Sequence, residues 1–285
     1  MLGFINVYKP SGITSNAVVQ MLKKKLNVKR IGHLGTLDPM ACGVLPIAVG
    51  KATRLFDLFL EKQKRYDVVF DFGYTTDTLD TDGIVSDVSP VVPTMLEINS
   101  VLSKLIGKIE QMPPKFSAKN VAGRRAYELA RNGEEFVLQP KQVEIFEFEL
   151  LEQLAKNKFR FGVLCSSGTY IRSLGRDLAS LLGTYACMSF LERVESGVFT
   201  KEKAIALEDI MKMDNVESIV MDPTEVFTSY DIIDISDRDY RALRNGLVVR
   251  HEPIQINSFV KHNGKLIAVA LPNQYQIKLD INLEE

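Results

Sequence analysis

Few side chains in this sequence are placed to do covalent chemistry, and Asp38 is the first of them. It lies in Arg30-Ile31-Gly32-His33-Leu34-Gly35-Thr36-Leu37-Asp38-Pro39-Met40-Ala41-Cys42-Gly43-Val44-Leu45-Pro46, which packs three glycines, two prolines, a histidine and one carboxylate into seventeen residues. Gly opens backbone conformations that other residues avoid, and Pro fixes its own φ. Pro39 also biases Asp38 toward extended backbone. The stretch therefore predicts a tightly specified loop, not a plain helix or central strand. Taken singly, its aspartate is either a turn residue or a nucleophile.

A nucleophilic carboxylate must stay ionised, and a cation beside it holds it so. Arg172 is a candidate, because it falls in the first turn of an expected helix. The positive end of the helix dipole disfavours a cation there unless an anion offsets it. An ordinary ion pair to Asp177 accounts for Arg172 equally well. Tyr66 is a candidate aromatic, but in register with Val68 and Phe70 it also reads as core. Spacing alone does not bring these three together.

Other signals fail on inspection. Gly50-Lys51 suggests a phosphate loop, yet the preceding Gly43 is seven residues back and Ala52 stands where a magnesium-binding Ser or Thr belongs. Asp80-Thr81-Asp82-Gly83 echoes a calcium loop whose first position would be Thr78 and whose closing Glu would be Ser89. Asp38 has no second Asp two residues on, and no paired acid at a spacing that marks a hydrolase. Three histidines far apart and three cysteines without ligand spacing give no metal site, and the thiols are expected reduced.

The elements that must position these groups follow from periodicity. Asn6 to Gly12 predicts a short strand entering a Lys9-Pro10-Ser11-Gly12 turn. Thr14 or Ser15 caps a helix with Val18, Leu22 and Leu26 on one face. A second helix is expected from Gly50 through Leu60, with Leu55, Phe56 and Phe59 as its apolar side. Tyr66, Val68, Phe70 and Phe72 alternate with Asp67 and Asp71 in the clearest strand pattern of the chain. A polar loop over 75–83, a helix near 95–107 and an irregular Gln111–Ser117 stretch follow, then a short basic helix in Gly123–Arg131. Phe146, Phe148 and Leu150, a Lys156-Asn157-Lys158 turn, and Phe159, Phe161, Val163 and Cys165 predict a hairpin. Gly168-Thr169 leads into a helix with Ile171, Leu174, Leu178 and Leu181 as its apolar face. Strands and helices without strict alternation predict an α+β fold whose sheet is mixed and largely antiparallel. Short β-like runs beyond Tyr230 predict a small β-rich unit, so the expected division is 1–228 and 229–285, with an insert near 115–140.

The totals fit a globular protein of 285 residues, with 46% apolar and 25% charged residues. No apolar run approaches the roughly 18 residues of a membrane span, and the N-terminus lacks a signal-peptide pattern, so a cytoplasmic protein is expected. Net charge is −1, but residues 1–66 hold eight Lys and three Arg against Asp38, Asp57 and Glu61, a local charge of +8. Residues 67–110 carry −6. A basic segment of this kind either binds a polyanion or is a solvated face.

The stretch Gly32–Pro46 resembles the signature of the tRNA pseudouridine synthase B (TruB) family. Further blocks match in the family's order: Asn6 to Ser15, Lys64-Arg65-Tyr66, Thr76-Asp77-Thr78 with Asp80 and Gly83, Pro113-Pro114-x-Phe116-Ser117-Ala118, Gly123 to Arg131, and Gly168-Thr169-Tyr170-Ile171-Arg172. The resemblance covers about residues 3–200. It implies a pseudouridine synthase fold and isomerisation of uridine 55 in the T loop of tRNA, after base flipping and without cofactor or metal. By match, Asp38 is the nucleophile, attacking C1′ of the ribose or passing through a glycal. Arg172 pairs with it, and Tyr66 packs on the target base and moves a proton. His33 fills the gap left by the flipped nucleotide, Leu191 lies beneath the base, and Lys9, Lys64 and Arg65 contact RNA. The C-terminal unit is implied to be PUA-like, and the enzyme a monomer needing tRNA but no protein partner or membrane. Cys42, Phe116, Asn120, Ser167 and Glu192 depart from the family pattern, with Lys119 beside Asn120 as a substitute cation. A guide-RNA-dependent synthase and a non-catalytic RNA-binding protein are the rival readings.

Overall fold

The computed structural model describes residues 1–59, 63–117, 119–121 and 123–284. The expected helix end at Leu60, and Ala118 of the Pro-Pro block, lie outside these. One ten-stranded sheet organises the first 206 residues, in the order β14-β1-β3-β12-β4-β11-β10-β7, with β2 on β3 and β13 on β12. Its strands are β1 (Gly3–Lys9), β2 (Ile31–His33), β3 (Cys42–Val49), β4 (Lys64–Phe72), β7 (Gly107–Gln111), β10 (Lys141–Ala155), β11 (Lys158–Cys165), β12 (Ala186–Ser196), β13 (Phe199–Thr200) and β14 (Ile205–Ala206). Small hairpins β5 (Tyr74–Thr76)/β6 (Val85–Val88) and β8 (Asn120–Val121)/β9 (Arg124–Arg125) stand apart from it. Pairing is antiparallel except at β1/β14 and β3/β12, which gives the mixed, largely antiparallel sheet expected.

The strand predictions succeed where alternation is strict. Tyr66, Val68, Phe70 and Phe72 of β4 are buried, and β10/β11 form the predicted hairpin. The glycine- and proline-rich stretch is a partial correction, because Cys42–Pro46 is strand and only its middle is loop. Pro46 survives in β3 because the ladder uses its carbonyl, which accepts from Leu34 N–H at 2.9 Å. Gly43 stands where β3 meets β12 in parallel, at φ +105°, and a Cβ there would run into the Arg193 backbone.

Three of the helices cover one face. In α1 (Ser15–Leu26), Thr14 caps the N-terminus, accepting from Ala17 N–H, and Val18 and Leu22 are buried. A 3₁₀ turn over Gly50–Leu55 runs into the four-residue α2 (Phe56–Phe59), so the second helix is shorter than expected and Phe56 faces solvent. Then come α3 (Met95–Leu102), α4 (Ala126–Arg131) and α5 (Ile171–Leu181). Leu181, at the end of α5, is exposed and not part of its apolar face. The core joins α1, α3 and α5 to the β4/β11 side chains through Val18, Leu22, Ile98, Phe70, Phe161, Leu174 and Leu178.

Beyond α6 (Leu207–Lys212) and α7 (Pro223–Val226), a four-stranded sheet takes the order β15-β17-β18-β20, from β15 (Asp231–Asp234), β17 (Ser258–His262), β18 (Lys265–Ala270) and β20 (Ile281–Asn282). A separate pair joins β16 (Val249–Arg250) to β19 (Gln276–Ile277). Phe227 and Phe259 pack against Phe4, Phe199 and Val44 on the face of the large sheet opposite α1. This region also holds α8 (Asp237–Arg244), which the expectation of a β-rich unit did not single out although Ser236 caps it with Asp239 three residues on. Among the described residues no helix is long and apolar enough to cross a membrane.

Candidate active site

The loop between β2 and β3 carries Asp38, and the turn after β1 clamps it on both sides. Ser15 Oγ accepts from Leu37 N–H and donates to Leu37 O, both at 2.9 Å. Ser11 Oγ donates to Met40 O at 2.6 Å, and Gly12 N–H donates to Pro39 O at 2.8 Å. Lys9 is wholly buried and donates to Pro10 O, Ile13 O and Pro39 O. The residues flanking Asp38 are thus fixed by backbone bonds, and its side chain is left for chemistry. Lys9, expected to contact RNA, is a loop anchor with no surface to offer a phosphate. Ser15→Ala should cost about 1–3 kcal/mol of stability, since it leaves both polar groups of buried Leu37 without their partner. Chemical denaturation measures this, and an unchanged midpoint would remove Ser15 from the clamp.

Arg172, second residue of α5, reaches this loop across 134 positions of sequence. Its Nη2 donates to Asp38 Oδ1 at 2.9 Å and to Phe116 O at 3.1 Å. Its Nη1 donates to Thr78 O at 2.9 Å and lies 3.4 Å from Asp80 Oδ2. The Arg172 side chain is 7% exposed and Asp38 29%. Two carboxylates and two carbonyls offset the cation at the helix N-terminus. Asp177, the local alternative, pairs with Arg176 instead. No hydrogen bond reaches Asp38 Oδ2 among the described residues. One oxygen is held and the other is open, a geometry suited to nucleophilic attack.

Asp80 is the site residue that the sequence reading did not single out. It is 4% exposed, accepts from Thr78 Oγ1 at 2.6 Å and from Asp82 N–H at 3.2 Å, and faces Arg172. Burial pushes its carboxyl up, against the pull of Thr78 and Arg172. The signal was its place in the 75–83 stretch, read as a polar loop. Phe116 contributes its backbone carbonyl, so its departure from the family pattern leaves that contact intact.

Tyr66 of β4 is 6% exposed and lies near enough to Asp38 and Arg193 for both to bias its phenol. Burial, the largest cause, pushes its pKa up to about 12, so it meets a substrate as a neutral phenol. Leu191 of β12 is buried opposite Val68 and shares the core with Tyr66 and Leu37. Arg193, two residues on, is wholly buried and ties β12 to the Asp38 loop through Val44 O at 2.7 Å and Gly35 O at 3.0 Å. Half-buried His33 has its Nδ1 buried without a hydrogen-bond partner, and burial first, then Arg193 and Lys64, lowers its pKa.

The basic residues behave differently from one another. Arg65 alternates with Tyr66 and lies on the opposite face of β4, paired with Glu147 at 2.7 Å and Glu195 at 3.7 Å, so it does not face the site. Lys64 is on the Tyr66 side but 7% exposed. The +8 segment thus overstates surface charge, because Lys9 and Lys64 are inside and Arg65 is neutralised. Glu192 is also buried, accepting from Tyr8 Oη at 2.6 Å and pairing with Lys201 at 2.8 Å. That departure is compensated locally. Lys119 Nζ donates to Gln139 O at 2.8 Å in an exposed position.

Two solved structures share this architecture. A chain in "Crystal Structure of a Cbf5-Nop10-Gar1 Complex" aligns with TM-score 0.70 and 26% identity, covering 98% of this chain and 84% of that one. A chain in "Structure of H/ACA RNP bound to a substrate RNA containing 2'-deoxyuridine" shares the fold at TM-score 0.71, 24% identity, and 99% and 85% coverage. The chain is a pseudouridine synthase, an isomerase. The chain belongs to the TruB family of pseudouridylate synthases, whose N-terminal domain model matches residues 23–171. It is 38% identical over 280 residues to tRNA pseudouridine synthase B of Caldanaerobacter subterraneus subsp. tengcongensis, covering 97% of each chain. The corresponding protein of Clostridium novyi is 38% identical over 288 residues, covering 98% of this chain and 99% of its own.

Proposed function

We propose that this enzyme isomerises uridine 55 in the T loop of tRNA to pseudouridine, with Asp38 as nucleophile after the target base is flipped out of its stack. The observation that carries the reading is Asp38, the more exposed of the two carboxylates at Arg172, held through one oxygen and close to Tyr66 and Leu191. Asp38 Oδ2 forms a bond to C1′ while the N1–C1′ bond breaks, and uracil leaves with the electron pair. The base turns, C5 bonds to C1′, and the carboxylate is released. The C5 proton passes to solvent and N1 gains one, so nothing is consumed. In a glycal route Asp38 instead takes the C2′ proton as uracil leaves, forms no bond to C1′, and returns that proton to C2′ when C5 bonds to C1′. Arg172 holds Oδ1 of the carboxylate in place and donates to it again on release. Tyr66 and Leu191 supply the apolar contacts that offset the few kcal/mol of unstacking, and His33 stands where the vacated stack would close.

The tRNA substrate is supported by relatives named tRNA pseudouridine synthase B that match along nearly the whole chain. The enzyme acts alone, as a monomer in the cytoplasm, and the C-terminal sheet with β16/β19 is a PUA-like RNA-binding unit. Incubation of the purified chain with unmodified tRNA, followed by chemical mapping of pseudouridine, tests this. Product at position 55 without any guide RNA is expected. Product outside the T loop, or only with a guide RNA, would overturn the substrate assignment.

A further inference from the structure

Lys64 is a lysine in a place that ordinarily excludes one. It is 7% exposed, and no hydrogen bond or ion pair reaches its ammonium among the described residues. Its neighbours make matters worse. Arg193 of β12, wholly buried, and Lys141 of β10 both oppose its charge, Cys165 of β11 is the one group that favours it, and its own charge opposes protonation of His33 on β2. Tyr66, two residues along β4, stays a neutral phenol. No carboxylate acts on Lys64. A buried cation among cations costs several kcal/mol unless an anion pairs with it.

The backbone is shaped around this amine. Gly35 has φ +138°, and a Cβ there would lie 2.9 Å from Lys64 Nζ and 3.5 Å from an Arg193 guanidinium nitrogen. The ammonium is seated over the chain three residues before Asp38, near enough to His33 for its charge to oppose protonation there. On β4 it is about 6.6 Å along the strand from Tyr66, on the same face. A base stacked on Tyr66, as proposed above, would lie on the face of β4 that Lys64 shares.

We infer that Lys64 is the receptor for one phosphodiester oxygen of the RNA strand bearing the target uridine, and that RNA docking adds a proton to its amine. The inference rests on the reading that the substrate is a uridine in RNA. Burial, then Arg193, pushes the amine down to about 7 in the free enzyme. A phosphate beside it reverses the bias, and the amine takes its proton from water or buffer. Above pH 7 the free enzyme must protonate to bind. RNA affinity therefore falls as pH rises, by up to about tenfold per unit, until the pH passes the pKa in the complex. Arg65 and Lys9 offer no such contact, since one is neutralised on the far face and the other is spent on carbonyls.

The test uses a T-arm stem-loop RNA carrying one neutral methylphosphonate, placed 5′ or 3′ of the target uridine, bound to the Asp38→Asn enzyme. One of the two linkages should weaken binding about tenfold or more, the scale of a lost charge-assisted hydrogen bond, and Lys64→Met should bring no further loss at that linkage. Calorimetry at pH 8 in two buffers of different ionisation enthalpy should read uptake approaching one proton, lost in Lys64→Met. Lys64→Met should fold at least as stably, because it removes a desolvated charge. If it does not fold, Lys64→Arg serves, retaining phosphate-sensitive binding but losing the pH dependence between about 7 and 9. A methylphosphonate effect equal with and without Lys64, or none at either linkage, overturns the inference. Absence of pseudouridine formation in the unmodified hairpin and in tRNA by wild-type enzyme would instead overturn the substrate reading.

Discussion

Asp38→Asn should abolish pseudouridine formation while leaving RNA binding intact. The substitution is nearly isosteric, and the amide oxygen still accepts from Arg172 Nη2, so the 2.9 Å contact is preserved. The loop does not depend on the side chain either, because Ser15, Ser11, Gly12 and Lys9 hold Leu37, Pro39 and Met40 by their backbone atoms. What is lost is the electron pair and negative charge at Oδ2. Removing a covalent nucleophile costs about 10⁴-fold or more, so single-turnover assays should fall to background. The Kd for tRNA, read by filter binding, should stay at its wild-type value. Turnover at the wild-type rate would sink the nucleophile assignment, and a lost complex with lost turnover would point to a loop the clamp does not hold.

The sequence was most legible where one physical cause dominates. Tyr66 to Phe72 alternates because β4 sits between β12 and β11 with one face in the core, and Val69, buried on the other face, is the one apolar residue out of step. The 146–165 hairpin was visible for the same reason. Charge was the poorest guide, because a lysine's letter does not record whether its amine reaches water. Lys9 and Lys64 look like surface cations in a basic segment, and both are buried, one among carbonyls and one over Gly35. Asp80 was hidden by the opposite error, read as a solvated acid although it faces Arg172. Long-range pairing was illegible in principle, since Asp38 and Arg172 meet only because β3 and α5 are brought together by strands far apart in sequence. Resemblance, not spacing, named that pair. The helix Asp237–Arg244 had a readable signal, Ser236 with Asp239, which was passed over because charged residues surround it and short β-like runs lie on either side.

Arg172→Lys should lower kcat by about 100-fold, with little change in tRNA affinity. The guanidinium makes four contacts in three directions, to Asp38 and Phe116 O through Nη2 and to Thr78 O and Asp80 through Nη1. An ammonium is a point donor on a stem that cannot span this fork. If it follows Asp38 it abandons Asp80 and Thr78 O; if it follows Asp80, the nucleophile loses its cation. Unpairing one member of a buried charged network costs about 2–5 kcal/mol, which brackets the expected loss. The matching control is Arg176→Lys one turn further along α5. Its partner Asp177 is adjacent in sequence and its side chain is 33% exposed, so that pair is worth at most about 1 kcal/mol, and turnover should hardly change. A wild-type rate in Arg172→Lys would refute the fork as the device that holds Asp38 ready. Equal losses in both variants would mean that α5 is being disturbed as a whole. A loss confined to Arg172 ties the chemistry to one guanidinium joining the Asp38 loop, the Thr78–Asp80 turn and the bend at Phe116, three segments with no other common hydrogen-bond partner among the described residues.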